Sequence, residues 1–145
     1  MILSNFSERL SELMFEDGLN GRTFAKKLGC GTATVYRYLN ATKMPSVEMV
    51  VKIADYFNVT TDFLLGLEQE NYSNNFSLCP PFKERFTQIL EECSKSQYSL
   101  EKQTGISHSV VGYWKSGKTT PTIESVIKIA NTIGRTVDFV LGREL

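Results

Sequence analysis

Sliding the 145-residue chain against itself by 76 positions aligns its two halves without a gap. This internal repeat constrains the fold more than any other feature. Phe6 meets Phe82, Arg9 meets Arg85, Gly29 meets Gly105 and Val35 meets Val111. Further on, Pro45 meets Pro121, Glu48 meets Glu124, and Lys52-Ile53-Ala54 meets Lys128-Ile129-Ala130. Asp62-Phe63 and Leu65-Gly66 meet Asp138-Phe139 and Leu141-Gly142. About 19 of roughly 65 aligned pairs are identical, clustered at turns and at apolar positions with helical spacing. The chain is therefore read as a tandem duplication, with domains at 1–68 and 82–145. The linker between them, 69–81, is rich in Asn and Ser and closes on Pro80-Pro81, just ahead of a helix start. Each copy, at about 65 residues, buries roughly 60% of its unfolded surface and is small for an independent domain.

Within each copy the apolar periodicity is helical, and no strand-like alternation competes with it. Five short helices per copy make an all-α fold. The first spans about Ser4 to Asp17 and Phe82 to Ser94, with Phe6, Leu10, Leu13 and Met14, or Phe82, Phe86, Ile89 and Leu90, facing inward. The second, Thr23 to Leu28 and Ser99 to Thr104, stops at Gly29 or Gly105, the residue type expected just past a helix end. The third follows after a turn of about three residues. The fourth carries the stripe Val47, Val50, Val51, Ala54 and Phe57, matched by Ile123, Val126, Ile127, Ala130 and Ile133. Ser46 and Thr122 are placed as its N-caps, with Glu48 and Glu124 in the first turn. Thr60 and Asp62, then Thr136 and Asp138, repeat that device for the fifth helix.

Composition narrows the function. No run reaches the roughly 18 apolar residues of a membrane helix, and the start lacks a signal peptide's basic end and apolar run, so a cytosolic protein is expected. Cys30, Cys79 and Cys93 are odd in number and far apart, and His108 is the sole histidine. Neither a disulfide framework nor a metal site is expected, and no cofactor. No P-loop, nucleophile elbow or dinucleotide fingerprint is present, so the chain does not read as an enzyme. Net charge is zero, yet Gly21 to Lys43 holds the bases Arg22, Lys26, Lys27, Arg37 and Lys43 and no acid. Such segregation, rather than the total, governs local attraction for a polyanion.

Two helices joined by a tight glycine-containing turn form a helix-turn-helix, here Thr23 to Leu39 and Ser99 to Trp114. The second copy also carries Gly-Ile-Ser-x-Ser-x-Val-x-x-Trp-x-x-Gly-Lys-x-x-Pro-Thr-x-Glu from Gly105 to Glu124, and both copies end in Asp-x-x-Leu-Gly. In these motifs the chain resembles the Cro and phage-repressor family, also called the XRE family, over all but the linker and the extreme termini. The resemblance implies two tandem five-helix domains of lambda-repressor type and a sequence-specific DNA-binding transcriptional regulator, a repressor of bacterial or phage type acting at the nucleoid. With the second domain closing the sequence, no ligand-sensing or self-cleaving domain is expected.

At 100° per residue, Val35, Tyr38 and Leu39 share the inner face of the third helix, while Ala33, Tyr36, Arg37 and Asn40 lie outside. In the second copy Val111, Trp114 and the stem of Lys115 point in; Ser109, Gly112, Tyr113 and Ser116 point out. Thr32 and His108 open the helix, where recognition side chains enter the major groove. The expected base readers are thus Thr32, Ala33, Tyr36, Arg37, His108, Ser109 and Tyr113. Arg37 is foremost, since its forked donors match guanine O6 and N7, its alternative being a solvated surface arginine. Tyr36 and Tyr113 either touch DNA or pack at the core's rim. Phosphate contacts are expected from Arg22, Asn40, Lys43, Ser99, Ser107, Lys118 and Thr119.

Three departures from the family pattern stand out. Gly31 replaces a capping hydroxyl, at a few tenths of a kcal/mol. Ala41 occupies a glycine position that wants positive φ, a role open to Asn40 instead. Glu101 fills a small-residue slot, where it is expected to hinder helix packing or repel phosphate. The other functional reading is a protein-interaction module, an antitoxin or adaptor, in which one or both copies hold a protein partner. Thirteen extended linker residues would reach about 43 to 47 Å, enough to set the copies on half-sites about 34 Å apart as an intramolecular pseudo-dimer. Homodimerisation with four modules is the alternative.

Overall fold

The computed structural model describes residues 1–144; Leu145, the last residue of the expected second domain, lies outside the described residues. The chain divides into two units, Met1–Asn74 and Asn75–Leu145. The first holds α1 (Ile2–Glu16), α2 (Gly21–Leu28), α3 (Thr32–Leu39), α4 (Val47–Phe57) and α5 (Thr61–Leu64). The second holds α6 (Phe82–Glu92), α7 (Gln97–Thr104), α8 (His108–Ser116), α9 (Ile123–Ile133) and α10 (Val137–Leu141). The described residues are helical apart from turns, extended connections and one isolated bridge.

In the first unit α1 buries Phe6, Leu10 and Met14, spaced at four residues, while Leu13 is half-covered. Ser7 is buried too, and its hydroxyl donates to the Tyr38 carbonyl, tying α1 to α3. The caps fall where the sequence placed them. Ser46 accepts from the Met49 N–H and Thr122 from Ser125, each at 3.2 Å; Thr60 accepts from Phe63 and Thr136 from Phe139, each at 3.0 Å. The α4 and α9 stripes are centred differently from the sequence reading. Ile53 and Ile129 are wholly covered, whereas Val47, Val51, Phe57, Ile127 and Ile133 are only half-buried.

Arg9 and Arg85, identical in the repeat, have matching tasks. Arg9 Nη1 donates to the Phe63 carbonyl at 2.7 Å with its guanidinium 3.8 Å from the Phe63 ring centre. Arg85 Nη2 donates to the Phe139 carbonyl at 2.5 Å, 4.7 Å from that ring's centre. Each arginine thus fastens the first helix of its unit to the carbonyl end of the last one, where a cation suits the helix dipole.

The segment 69–81 is not a free tether. Asn71 Oδ1 accepts from the Thr60 N–H at 2.8 Å, within the first unit. On the other side, the Ser77 N–H donates to the Arg143 carbonyl at 2.8 Å, and Phe76 bridges antiparallel to Glu144. Of those thirteen residues, Asn71 is thus tied to the first unit and Phe76 and Ser77 to the second. Phe76 covers a buried charge: Arg143 is 0% exposed, its guanidinium lies 3.7 Å from the Phe76 ring centre, and Nη1 is 3.2 Å from Asp138 Oδ1. In the first unit the same position is Leu67, which is 39% exposed.

Ala41 adopts φ +56° itself, and Asn40 stays at φ −87°, so Asn40 does not take the left-handed role. The repeat partner is Gly117, at φ +78°. A left-handed Ala is strained by roughly 1–2 kcal/mol, part of which glycine's greater freedom in the unfolded chain offsets. Ala41→Gly is accordingly expected to stabilise the first unit by about 1 kcal/mol, read from denaturant midpoints. An unchanged or lower midpoint would contradict the strain.

Candidate nucleic-acid interface

The first helix-turn-helix is built by local chemistry. Asn20 Oδ1 accepts from the Thr23 N–H at 2.8 Å while Thr23 Oγ1 accepts from the Asn20 N–H at 3.2 Å, a reciprocal cap that starts α2. Phe24, Ala25 and Leu28 are buried, and Gly29 at φ +71° ends the helix. Gly31 then starts α3 with no side-chain cap. Val35 and Tyr38 face inward, Tyr38 meeting Phe6 edge-on at 5.9 Å between ring centres. Burial, with Cys30 nearby, pushes the Tyr38 phenol above its ordinary pKa.

On the outer face Thr32, Ala33 and Arg37 are exposed, as are Arg22, Asn40 and Lys43. The Arg37 side chain makes no hydrogen bond or ion pair among the described residues; only its carbonyl is engaged, by Thr42. Its five donors are free to bond an external acceptor. Tyr36 is 47% exposed. Its ring folds back on α2, with Cζ 2.8 Å, Cε2 2.9 Å and Oη 3.1 Å from where a Cβ on Gly21 would stand. Sequence reasoning passed over Gly21, although the repeat contains the signal: Gly21 and Tyr36 align with Gln97 and Gly112.

The second helix-turn-helix is assembled differently. Ser96 caps α7 and Ser107 caps α8, its hydroxyl accepting from the Val110 N–H at 3.3 Å. Buried residues of α2 are Gly21, Phe24, Ala25 and Leu28, whereas α7 buries only Leu100. Glu101, in the small-residue slot, is accommodated rather than expelled. It accepts from Gln97 Nε2 at 2.7 Å and lies 3.0 Å from His108 Nδ1. The Gln97 hydrogen bond, with help from His108 and Lys115, holds its carboxyl below the usual carboxylate range. Lys115 is not tucked inward; it is exposed, and Nζ donates to Gln97 Oε1 at 2.9 Å.

His108 therefore commits Nδ1 to its own unit, although most of its side chain is exposed. Ser109 is exposed, and Tyr113 is 44% exposed with Lys118 Nζ 4.7 Å from its ring centre. Thr119 is exposed, whereas Ser99 is half-buried. Tyr98, which no sequence argument singled out, is 67% exposed with Lys102 Nζ 5.5 Å from its ring centre. In the repeat, Tyr98 and Tyr113 stand where the first copy has Arg22 and Arg37. The described residues include no group of three or more His, Cys, Asp or Glu able to hold a metal. No described helix is long and apolar enough to cross a membrane.

Two short helices joined by a glycine turn, the second with an exposed outer face, occur twice and define the class. A family model described as Helix-turn-helix matches residues 16–64 and again residues 87–140. These segments make up more than half of the chain, which belongs to this family as a tandem pair of XRE-type domains. Among known proteins the chain is similar to the HTH-type transcriptional regulator ImmR of Bacillus subtilis (strain 168), with 27% identity over 74 residues. The match covers 51% of this chain and 58% of the relative, so the chain spans little more than half of that protein's length. No solved structure matches the chain.

Proposed function

We propose that the chain is a sequence-specific DNA-binding transcriptional regulator of repressor type, without catalytic activity, working in the bacterial cytosol. The first copy reads bases in the major groove with α3. The observation that carries this reading is Arg37: an exposed guanidinium without a partner among the described residues, on the outer face of α3, within an acid-free basic stretch. Thr32 and Ala33 complete the reading face, while Arg22, Asn40 and Lys43 set the register on the phosphates. In the second copy Lys118 and Thr119, with the hydroxyls of Ser99 and Ser107, add backbone contacts; Ser109, His108 and Tyr113 read less, because Ser109 is short, His108 is bonded to Glu101 and the Tyr113 ring carries Lys118.

A second reading has its own support. Tyr98, Val110 and Tyr113 are exposed on α7 and α8, and tyrosine is enriched at protein interfaces. Under it the second copy holds a protein partner, or a second copy of this chain, while the first holds DNA. Selection of bound duplexes from a random pool, followed by affinity of the winner against salt, tests the main reading. A discrete motif is expected, with log K falling by about 0.9 per phosphate contact for each decade of salt. Flat enrichment with only weak binding would sink it. Footprint length then distinguishes one chain from a homodimer.

A further inference from the structure

We propose that Gly21 is a specificity-determining position of the first helix-turn-helix and acts through Tyr36, an inference that rests on the DNA-reading function above. The missing Cβ is what lets the tyrosine ring close over the first turn of α2, since three ring atoms lie within 2.8 to 3.1 Å of the place a Cβ would take. No ordinary contact is that short, so any larger residue at position 21 must drive the ring away. Gly21 is buried and Tyr36 is 47% exposed, so α2 confines one side of the ring and solvent lies on the other. The displaced ring moves toward solvent, on the face that meets the groove.

There its presentation would change, beside Arg37 in sequence and one helical turn from Thr32 and Ala33, on a reading face otherwise made of two small side chains and one arginine. The repeat supplies an independent comparison. The second copy has Gln97 at the Gly21 position and Gly112 at the Tyr36 position, and a Cβ on Gly112 would meet nothing within 4 Å. Each copy therefore carries one bulky group on this pair of positions. It comes from the third helix in the first copy and from the second helix in the other. Gln97 leaves the space at Gly112 open, its side chain being bonded to Glu101 and Lys115.

The test uses the full chain and a double-mutant cycle of Gly21→Ala and Tyr36→Ala, read by duplex selection and by competition binding at fixed salt, with thermal melting as the folding control. Gly21→Ala is expected to weaken binding to the motif of the unaltered chain about tenfold and to enrich different bases, while leaving the melting midpoint unchanged or higher. In the Tyr36→Ala background the same alanine should have no effect, as no ring remains to displace. Equal losses in both backgrounds, or an unchanged motif and affinity for Gly21→Ala, would overturn the inference. If Gly21→Ala does not fold, the Gly21→Ala, Tyr36→Ala double variant, which has no ring to displace, is melted beside it; recovered folding supports the inference, and a double variant as unstable as Gly21→Ala overturns it. Failure of the unaltered chain to select any motif is a separate outcome. It removes the DNA-reading function and this inference together.

Discussion

Arg143→Ala is expected to lower the melting temperature of the second unit by more than about 12 °C while leaving the first unit's transition in place. The guanidinium is wholly buried against the Asp138 carboxylate, itself 3% exposed, and beneath the Phe76 ring. Deleting one member of a buried ion pair costs about 3–5 kcal/mol, because the other charge stays buried while that attraction is lost. A unit of this size has roughly 4–10 kcal/mol in total, and each kcal/mol moves the midpoint of so small a domain by about 4–8 °C. Phe76→Ala should produce a smaller shift of the same sign, since the ion pair survives while its cover is lost. Calorimetry of the full chain resolves the two transitions. An unshifted second-unit midpoint in Arg143→Ala would mean that the pair contributes nothing net.

Arg37→Ala has the other large expected effect, on recognition rather than stability. A bidentate arginine–guanine contact discriminates by about 1–3 kcal/mol, which corresponds to a loss of roughly 5- to 150-fold for the selected motif and relaxed preference at one base pair. Because the side chain is exposed and has no partner among the described residues, the melting temperature should stay within about 1–2 °C. Arg22→Ala provides the contrast: weaker binding to all duplexes alike and a salt slope reduced by about 0.9. Competition binding against matched and mismatched duplexes separates these patterns. If Arg37→Ala lowers affinity evenly across sequences, Arg37 contacts phosphate and the base-reading assignment moves to Thr32 and Ala33.

Much of this architecture was legible in the sequence because it is written in short-range chemistry. Ser46, Thr60, Thr122 and Thr136 cap helices three residues away, and Gly29 and Gly105 stop helices locally. The roles of the arginines were not. Arg9, Arg37, Arg85 and Arg143 look alike in a count of basic residues, yet Arg9 and Arg85 dock on carbonyls 54 positions away and Arg143 is sealed under a residue of the preceding connection. Arg37 alone of the four presents its charge to solvent. Long-range packing decides which charges remain available, and periodicity does not report it. The orientation of Tyr36 escaped for the same reason, as it depends on an atom that Gly21, fifteen positions earlier, does not have.

The pairing of Phe76 and Ser77 with Glu144 and Arg143 also bears on how the protein can be cut. A fragment designed on helix boundaries would begin at Pro81 or Phe82. It would discard the aromatic lid and the backbone bond to the Arg143 carbonyl, opening a buried charge to water. The second unit begins before Phe76, at the Asn74–Asn75 junction. What looks in composition like the punctuation between two words is, on that side, the first syllable of the second.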